Sequence, residues 1–318
     1  MALTLPEAAK LSTTDLQRGV IETFVQESSI LDRLPLLTIE GNSYAYNEEA
    51  TLPGVEFRSV NEGYSESTGT VNQKSESLVI LGGDADVDKF IVKTRGNLND
   101  QRAIQTRMKI KAAAYRFQDA FFNGDVATEP KGFDGLRKRL TGAQVISAGT
   151  DGIPIVGDGV NDSHAFFDKL DELVASVPGL TSANGAIYAN RKVISKIKSA
   201  ARRVGGYEMV NEALTGKWVP TYNGIALLDP GQTAAGADIL PQAETQGEAA
   251  DASSMYAVRF GQAEDDRAVT GLTNGGIQVT DLGELETKPS YRTRIEFYTG
   301  LAVFGGRGAA RLNGVLAK

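Results

Sequence analysis

Apolar residues recur at helical spacing near the start of the chain. In residues 13–33, the positions Leu16, Val20 and Phe24 are four residues apart and follow threonines that can cap a helix. Pro35 ends this pattern, because proline disfavours helical backbone at the residue before it. The spacing therefore predicts an amphipathic helix over residues 13–33.

A second and clearer helical pattern covers residues 98–123, where Asn97 or Asn99 can cap the first turn. Asn123 and Gly124 are typical of a helix end, and Gly124 is expected to adopt a positive φ there. The pattern predicts one long helix that crosses the whole subunit. Its expected core stripe is Ile104, Met108, Ala112, Tyr115 and Phe122, widened by Ile110, Ala114, Phe117 and Phe121.

Between these helices, residues 36–81 are rich in polar residues and glycine. Short alternating runs at 44–46, 55–57 and 78–81 predict extended strands with polar faces. Residues 61–73 hold almost no apolar side chain, so they cannot form a core of their own. Two interpretations stay open: a disordered linker, or a long two-stranded arm that projects outward and pairs with another subunit.

The second half of the chain alternates between helical and extended patterns without a regular βαβ period or an internal repeat, which predicts an α+β fold. Asn223-Gly224 is a hairpin turn signal, and residues 233–254 are acidic and rich in small residues, as in a loop. Helices are expected at 163–176 and 191–204, and strands at 145–147, 186–189, 218–228, 256–260, 276–279 and 292–304.

The amino-acid composition excludes disulfides and several kinds of metal site. The chain has no cysteine and one histidine, His164, so disulfides, thiolate zinc sites and multi-histidine metal sites are excluded. The first residues lack the basic start followed by an apolar run that marks a secretory signal peptide. We therefore expect synthesis in a cytoplasm. The net charge of −7 argues against a dedicated nucleic-acid binder, but suits a container wall that faces DNA without adhering to it.

Residues 157–162, Gly-Asp-Gly-Val-Asn-Asp, resemble a magnesium-binding motif of haloacid-dehalogenase phosphatases and P-type ATPases. That chemistry also needs a nucleophilic aspartate in an Asp-x-Asp-x-Thr/Val motif. The nearest candidate, residues 84–88, has Asp88 where the threonine or valine should stand. We interpret 149–162 as a turn that precedes a helix beginning near Ser163.

Two other candidate sites lack essential parts. Asp84, Asp86 and Asp88 have the spacing of a calcium loop, but the twelfth position is Arg95 instead of glutamate, so alternate carboxylates on a solvated strand face fit better. His164 has no recognised catalytic partners and is interpreted as a surface or capping residue. We therefore expect no catalytic residue, no cofactor and no metal.

The junction after the long helix carries a family resemblance. Residues 121–125, Phe-Phe-Asn-Gly-Asp, and 129–136, Glu-Pro-Lys-Gly-Phe-Asp-Gly-Leu, resemble the end of the spine helix in tailed-phage major capsid proteins of the Hong Kong 97 type. Residues 81–88 resemble the return from that family's extended loop, and 294–315 its closing strands. By order of elements, the resemblance covers nearly the whole chain.

The resemblance implies an α+β Hong Kong 97-type capsid fold with an N-terminal arm, an extended β-hairpin loop, a long spine helix, and peripheral and axial domains. The arm would be residues 1–35 and the extended loop 36–90. The peripheral domain would comprise 91–144 and 286–318, and the axial domain 145–285.

The implied function is that of a structural shell protein, not an enzyme: a major capsid protein that self-assembles as hexamers and pentamers into an icosahedral virion shell around double-stranded DNA. A portal protein and, because the arm begins almost at once, a separate scaffolding protein are expected partners; a membrane is not. The expected inter-subunit contact residues are Arg58, Glu62, Glu66, Lys74, Glu76, Arg107 and Lys111.

Two alternatives stay open. An encapsulin-like compartment shell would share the fold, and particle size and DNA content would separate it from a phage capsid. A magnesium-dependent phosphatase using Asp158 and Asp162 belongs to another class, and loss of turnover in Asp158→Asn would support it.

Overall fold

The computed structural model describes residues 3–4, 28–95, 101–157, 160–204, 208–211 and 218–318. Its helices are α1 (Lys89–Arg95), α2 (Gln101–Asn123), α3 (Leu136–Arg139), α4 (Val160–Ala175) and α5 (Arg191–Val204), with short 3-10 turns at Gly142–Gln144, Glu264–Asp266 and Phe304–Gly306. Its strands are β1 (Leu3–Thr4), β2 (Pro35–Thr38), β3 (Ser43–Thr51), β4 (Thr70–Ser77), β5 (Val79–Asp88), β6 (Val145–Ser147), β7 (Ile153–Pro154), β8 (Gly185–Tyr188), β9 (Glu208–Asn211), β10 (Trp218–Tyr222), β11 (Ile225–Leu228), β12 (Glu244–Gln246), β13 (Ala249–Arg259), β14 (Val269–Glu284), β15 (Ser290–Val303) and β16 (Ala309–Leu316).

A five-stranded sheet in the order β1-β2-β14-β15-β5 forms one half of the body. Strands β14 and β15 make a long antiparallel pair, and β5 continues the sheet along the other side of β15. Helix α2 packs against β5 and β15 through a buried aromatic group in which the ring centroids of Phe117 and Phe297 are 5.9 Å apart. The helix and the sheet therefore share one core.

The long helix is confirmed over α2, but its buried face differs from the expected stripe. Ile110, Ala114, Phe117 and Phe121 are buried as expected, whereas Met108 is 61% exposed and Ile104 belongs to the exposed side chains as well. Apolar side chains surround most of the first half of this helix, so spacing alone did not identify the side that meets the sheet.

The other half of the body is a nine-stranded mixed sheet with the path β6-β16-β13-β8-β11-β10-β9. Helices α4 and α5 cover one face through a second core that includes Phe166, Leu170 and Ile197. The hairpin turn between β10 and β11 is confirmed, since Asn223 and Gly224 both have positive φ, 49° and 77°. The helices expected at 163–176 and 191–204 are confirmed as α4 and α5.

Strands β3 and β4 pair only with each other and form an antiparallel hairpin, which confirms the two strands of the expected arm. Residues 52–69 between them contain no strand, and pairing with another subunit stays a prediction. Residues 55–57 are not a strand. Residues 79–88 belong to the body sheet, so the projecting part is shorter than 36–90. Strand β14 also joins the five-stranded sheet and β16 the nine-stranded one, so the boundaries expected at 285 and 286 do not separate the two sheets.

Gly124 ends α2 without a positive φ, so the expected left-handed cap is wrong. The junction needs glycine for another reason. A Cβ on Gly124 would lie 2.3 Å from the carbonyl oxygen of Phe133, and one on Gly135 would lie 2.5 Å from that of Ala120. The amide of Gly135 donates to the carbonyl oxygen of Gly124 at 2.9 Å, which holds the two backbones together. Close backbone approach thus explains both glycines.

Most of the helix expected over 13–33 lies outside the described residues, and 28–33 form turns whose Ile30 and Leu31 are fully buried. The loop expected over 233–254 is partly wrong, because β12 and the first half of β13 occupy its end. A run of small residues in this part of β13 fits its close pairing with β16.

Candidate assembly surface

The root of the β3–β4 hairpin is fixed to the body by aromatic side chains. Tyr46 is only 3% exposed, and its ring meets Phe304 edge-on with a centroid distance of 4.9 Å. Tyr44 makes a second edge contact with the same phenylalanine at 6.1 Å. Burial and nearby carboxylates, chiefly burial, raise the pKa of Tyr46 to about 12. A neutral, packed tyrosine at this point prevents the hairpin from pivoting at its base.

Polar contacts support the same root. Glu76 of β4 forms a two-point ion pair with Arg139, in which the Nη2–Oε2 distance is 2.7 Å. The carboxylate of Glu264 accepts a hydrogen bond from the backbone amide of Asn47 at 3.1 Å. The carboxylate of Glu76 is therefore engaged and mostly buried within its own chain, and its expected inter-subunit contact stays a prediction.

Beyond the root, the hairpin carries large apolar side chains that no described residue covers. The side chains of Val55 and Phe57 are fully exposed, at 99% and 107%. Exposed apolar side chains concentrated on one segment mark an interaction surface. The members of this patch, which we call the hairpin tip patch, are Leu52, Val55, Phe57, Val60, Tyr64 and Val71.

The charged residues of the tip partly hold the turn together. Arg58 donates to the carbonyl oxygen of Glu62 at 3.1 Å, and its guanidinium lies 5.2 Å from the ring centroid of Tyr64. The carboxylate of Glu62 accepts from the amide of Ser59 at 2.9 Å. The tip is thus a shaped turn with its apolar side chains outward, although these exposed contacts are individually weak.

Lys74 and Glu66, the remaining hairpin residues of the expected contact set, differ in whether their charged groups are paired within their own chain. Lys74 of β4 pairs with Glu48 of β3 at 2.6 Å across the hairpin, which supports the register of the two strands. Glu66 is exposed in the tip. The exposed acidic groups of the tip are Glu56, Glu62 and Glu66, and the carboxylates of Glu56 and Glu62 each accept a hydrogen bond from a backbone amide of the tip.

Helix α2 presents a second exposed surface. Ile104, Arg107, Met108 and Lys111 are all exposed and have the spacing i, i+3, i+4 and i+7, which places them on one face of the helix. Lys111 also lies 5.5 Å from the ring centroid of Tyr115. We call these four residues the α2 outer face. Its two apolar members escaped the sequence analysis because they were assigned to the core stripe.

Residues 13–157 match the model of a protein family described as major capsid protein GP7. The structure of the holo-SrpI encapsulin complex from Synechococcus elongatus PCC 7942 is similar with a TM-score of 0.66 and 18% identity, over 91% of this chain and 88% of that chain. The capsid of a native GTA particle is similar with a TM-score of 0.64 and 15% identity, over 91% and 90%. A structure from Mycobacterium phage Bobi gives 0.56 and 14%, over 90% and 89%. No curated protein matches the sequence.

The structural likenesses are too distant in sequence to show more than a shared fold, and the family match covers 145 of the 318 residues. The chain has the Hong Kong 97-type capsid fold, and its similarity to a major capsid protein family supports a capsid shell protein. As a capsid subunit it is a structural protein that assembles with copies of itself into a shell. Among the described residues, no helix of this capsid protein is both long and apolar enough to cross a bilayer.

The carboxylates that suggested metal chemistry have other partners in this capsid protein. Asp84 on β5 accepts from Arg294 on β15 at 2.8 Å, and Asp86 accepts from Arg292 at 2.7 Å and from Lys288 at 2.6 Å. Hydrogen bonds from these cations hold the pKa of Asp86 far below its usual range. The described residues contain no group of three or more side chains suited to hold a metal ion. Strand pairing explains this cluster.

The phosphatase-like segment is also accounted for where it is described. The buried hydroxyl of Ser163 donates to the carbonyl oxygen of Ile155 at 3.2 Å, which ties the turn to the first part of α4. His164 is exposed on the same helix, as the sequence indicated. Asp158 lies outside the described residues.

Proposed function

We propose that this capsid protein forms hexamers and pentamers that close into an icosahedral virion shell around the double-stranded DNA of a tailed phage. The observation that carries the proposal is the hairpin tip patch, which projects from a fixed root and which the subunit itself leaves uncovered. In a closed shell every subunit has an equivalent neighbour, which would bury this patch on every copy.

The α2 outer face of a neighbouring subunit is the surface that we propose for the tip. Apolar Phe57 and Val55 would meet Ile104 and Met108, and each large side chain buried in this way contributes about 1.5–3 kcal/mol. This term would dominate the free energy of the contact.

Charge would set the register of this contact. Glu62 and Glu66 of the tip would face Arg107 and Lys111, with Arg58 at the rim. Exposed pairs contribute only about 0–1 kcal/mol each, but a shell repeats each contact many times.

The two sheets suggest a division of the subunit. We assign α2 and the five-stranded sheet to a peripheral domain and the nine-stranded sheet with α4 and α5 to an axial domain at the capsomer centre. Residues 43–77 would be the extended loop, and residues up to 35 the N-terminal arm. We further propose synthesis in a bacterial cytoplasm, with a scaffolding protein and a portal protein as partners.

A charge-swap experiment tests the hairpin contact. Arg107→Glu/Lys111→Glu should abolish particles in negative-stain images, and adding Glu62→Lys/Glu66→Lys should restore them. Lys93→Glu/Lys131→Glu, with two exposed cations elsewhere, is the matched control and should assemble normally. Normal assembly of the first variant, or loss of assembly in the control, would contradict the proposed contact.

An encapsulin-like compartment is the second candidate, favoured by the similarity to the Synechococcus encapsulin complex. Particles purified from the native source distinguish the two. A phage capsid would contain nuclease-protected DNA and portal protein, whereas a compartment would contain a cargo protein and no genome-length DNA.

A further inference from the structure

Helix α5 carries an unusual charge pattern for an acidic protein. It contains no acidic residue, and its buried side is apolar, with Val193, Ile194, Ile197 and Ala200 in the core. Its other side is cationic, and the net charge of the whole chain is −7. The basic residues of this helix are Arg191, Lys192, Lys196, Lys198, Arg202 and Arg203.

This pattern works against the stability of the helix. Arg191 and Lys192 occupy the first turn, where the helix dipole disfavours positive charge. Lys192 and Lys196 are four residues apart, as are Lys198 and Arg202, so each pair is mutually repulsive. Arg202 and Arg203 in the last turn suit the dipole, so the local cost comes from the first turn and from the repulsive pairs. Such a cost is expected where residues serve a binding function.

Most of these cations are not neutralised within the subunit. Arg191 pairs with Asp229 at 3.2 Å, but the side chain of Arg191 is 86% exposed. Lys192, Lys196 and Arg203 are exposed and form no ion pair or side-chain hydrogen bond with any residue that the structure describes, although the charge of Lys192 helps to lower the pKa of Asp238. These three residues form the solvent-facing part of the α5 basic face.

The geometry suits an extended polyanion. From Lys192 to Arg203 the helix rises about 16 Å, at about 1.5 Å per residue. Duplex DNA carries one phosphate charge per about 1.7 Å of its axis, so on the order of ten phosphates pass along this length. Lysine on a flexible stem binds phosphate as a point charge and does not select a base sequence.

An acidic surface of a neighbouring subunit is the alternative ligand for this face. Seven acids of the described body already have cationic partners in their own chain, namely Asp84, Asp86, Asp125, Asp281, Glu76, Glu244 and Glu284. Others, such as Glu248 and Asp265, are exposed and form no ion pair with the described residues. The row of cations along one helix face favours an extended polyanion over separate surface carboxylates, and the experiment below distinguishes the two.

We propose that the α5 basic face contacts the phosphate backbone of the enclosed double-stranded DNA. This assignment rests on the proposed function of the shell, and it gives an otherwise acidic wall one local point of adhesion. Binding through phosphates alone is weak and depends strongly on salt, so the DNA would be held without being locked in place.

The test uses the full-length, unassembled subunit and a fluorescent 20-base-pair duplex of mixed sequence, with binding followed by anisotropy. Lys192→Gln/Lys196→Gln/Arg203→Gln should weaken binding at least tenfold at low salt. The slope of log K against log salt should fall by about 2.7, which corresponds to three lost phosphate contacts. Lys93→Gln/Lys131→Gln/Arg307→Gln removes the same charge from exposed sites elsewhere and should bind within about twofold of the original protein.

Three results would overturn the assignment: no DNA binding by the original protein, equal losses in both variants, or unchanged DNA binding by the α5 variant. If the α5 variant binds DNA normally but forms no particles, the face meets an acidic protein surface instead. Circular dichroism should show that the α5 variant keeps its fold, because glutamine is a good helix former. Particle formation by the original protein is measured separately in negative-stain images. Absence of particles would contradict the proposed shell, whereas absence of DNA binding would contradict only the proposed role of α5.

Discussion

Replacing Phe117 by alanine should destabilise the unassembled subunit by about 3–5 kcal/mol, the usual cost of deleting a buried aromatic side chain. Its ring is fully buried and lies 6.0 Å from that of Phe133 and 5.9 Å from that of Phe297. The change removes apolar burial and leaves a cavity between α2 and the sheet. Helix propensity does not account for any loss, since alanine is the best helix former.

The assay is urea unfolding of the purified subunit, followed by circular dichroism, under conditions that prevent assembly. Met108→Ala on the same helix is the matched control, and it should change the free energy of unfolding by less than about 1 kcal/mol because its side chain is 61% exposed. A loss below about 1 kcal/mol for Phe117→Ala, or similar losses for both variants, would refute the assignment of the buried face.

Three further predictions concern single contacts. Gly124→Ala should lower stability by about 1–3 kcal/mol through overpacking, measured in the same assay; an unchanged midpoint would show that the junction has room for a Cβ. Glu76→Gln should leave Arg139 without its ionic partner and increase amide hydrogen exchange at the hairpin root. Unchanged protection there would show that this ion pair does not stabilise the root. Because folding lowers the pKa of Asp86, its stabilising effect is present above about pH 4 and is lost as the pH falls further. Asp86→Asn should therefore be less stable at pH 7 and show a smaller loss between pH 4.5 and 3 than the original protein, and equal losses would contradict this.

The sequence predicted a helix and its buried face well where the apolar residues lie on one side of the helix only. Residues 191–204 have apolar residues on one side only, and both the bounds and the buried face of α5 follow from that pattern. In α2 the phase was ambiguous, because Ile104 and Ile110 are both apolar although they lie about 120° apart around the axis. Only the position of the sheet decides that Ile110 is buried.

Other features depended on partners distant in the chain. The pairing of Asp84 and Asp86 with Arg294 and Arg292 comes from the register of β5 with β15, which local spacing does not define. The need for glycine at Gly124 arises from a loop that returns to the helix end. The polar composition of 61–73 left a linker and a projecting arm both open, and the apolar residues beside it were not recognised as a patch.

A cryo-electron microscopy reconstruction of the purified protein after assembly tests the proposed hairpin contact directly. We expect closed shells in which the hairpin tip of each subunit covers α2 of a neighbour, with Phe57 buried between them. A protein that remains monomeric under all assembly conditions, or shells in which the tip stays exposed to solvent, would contradict it.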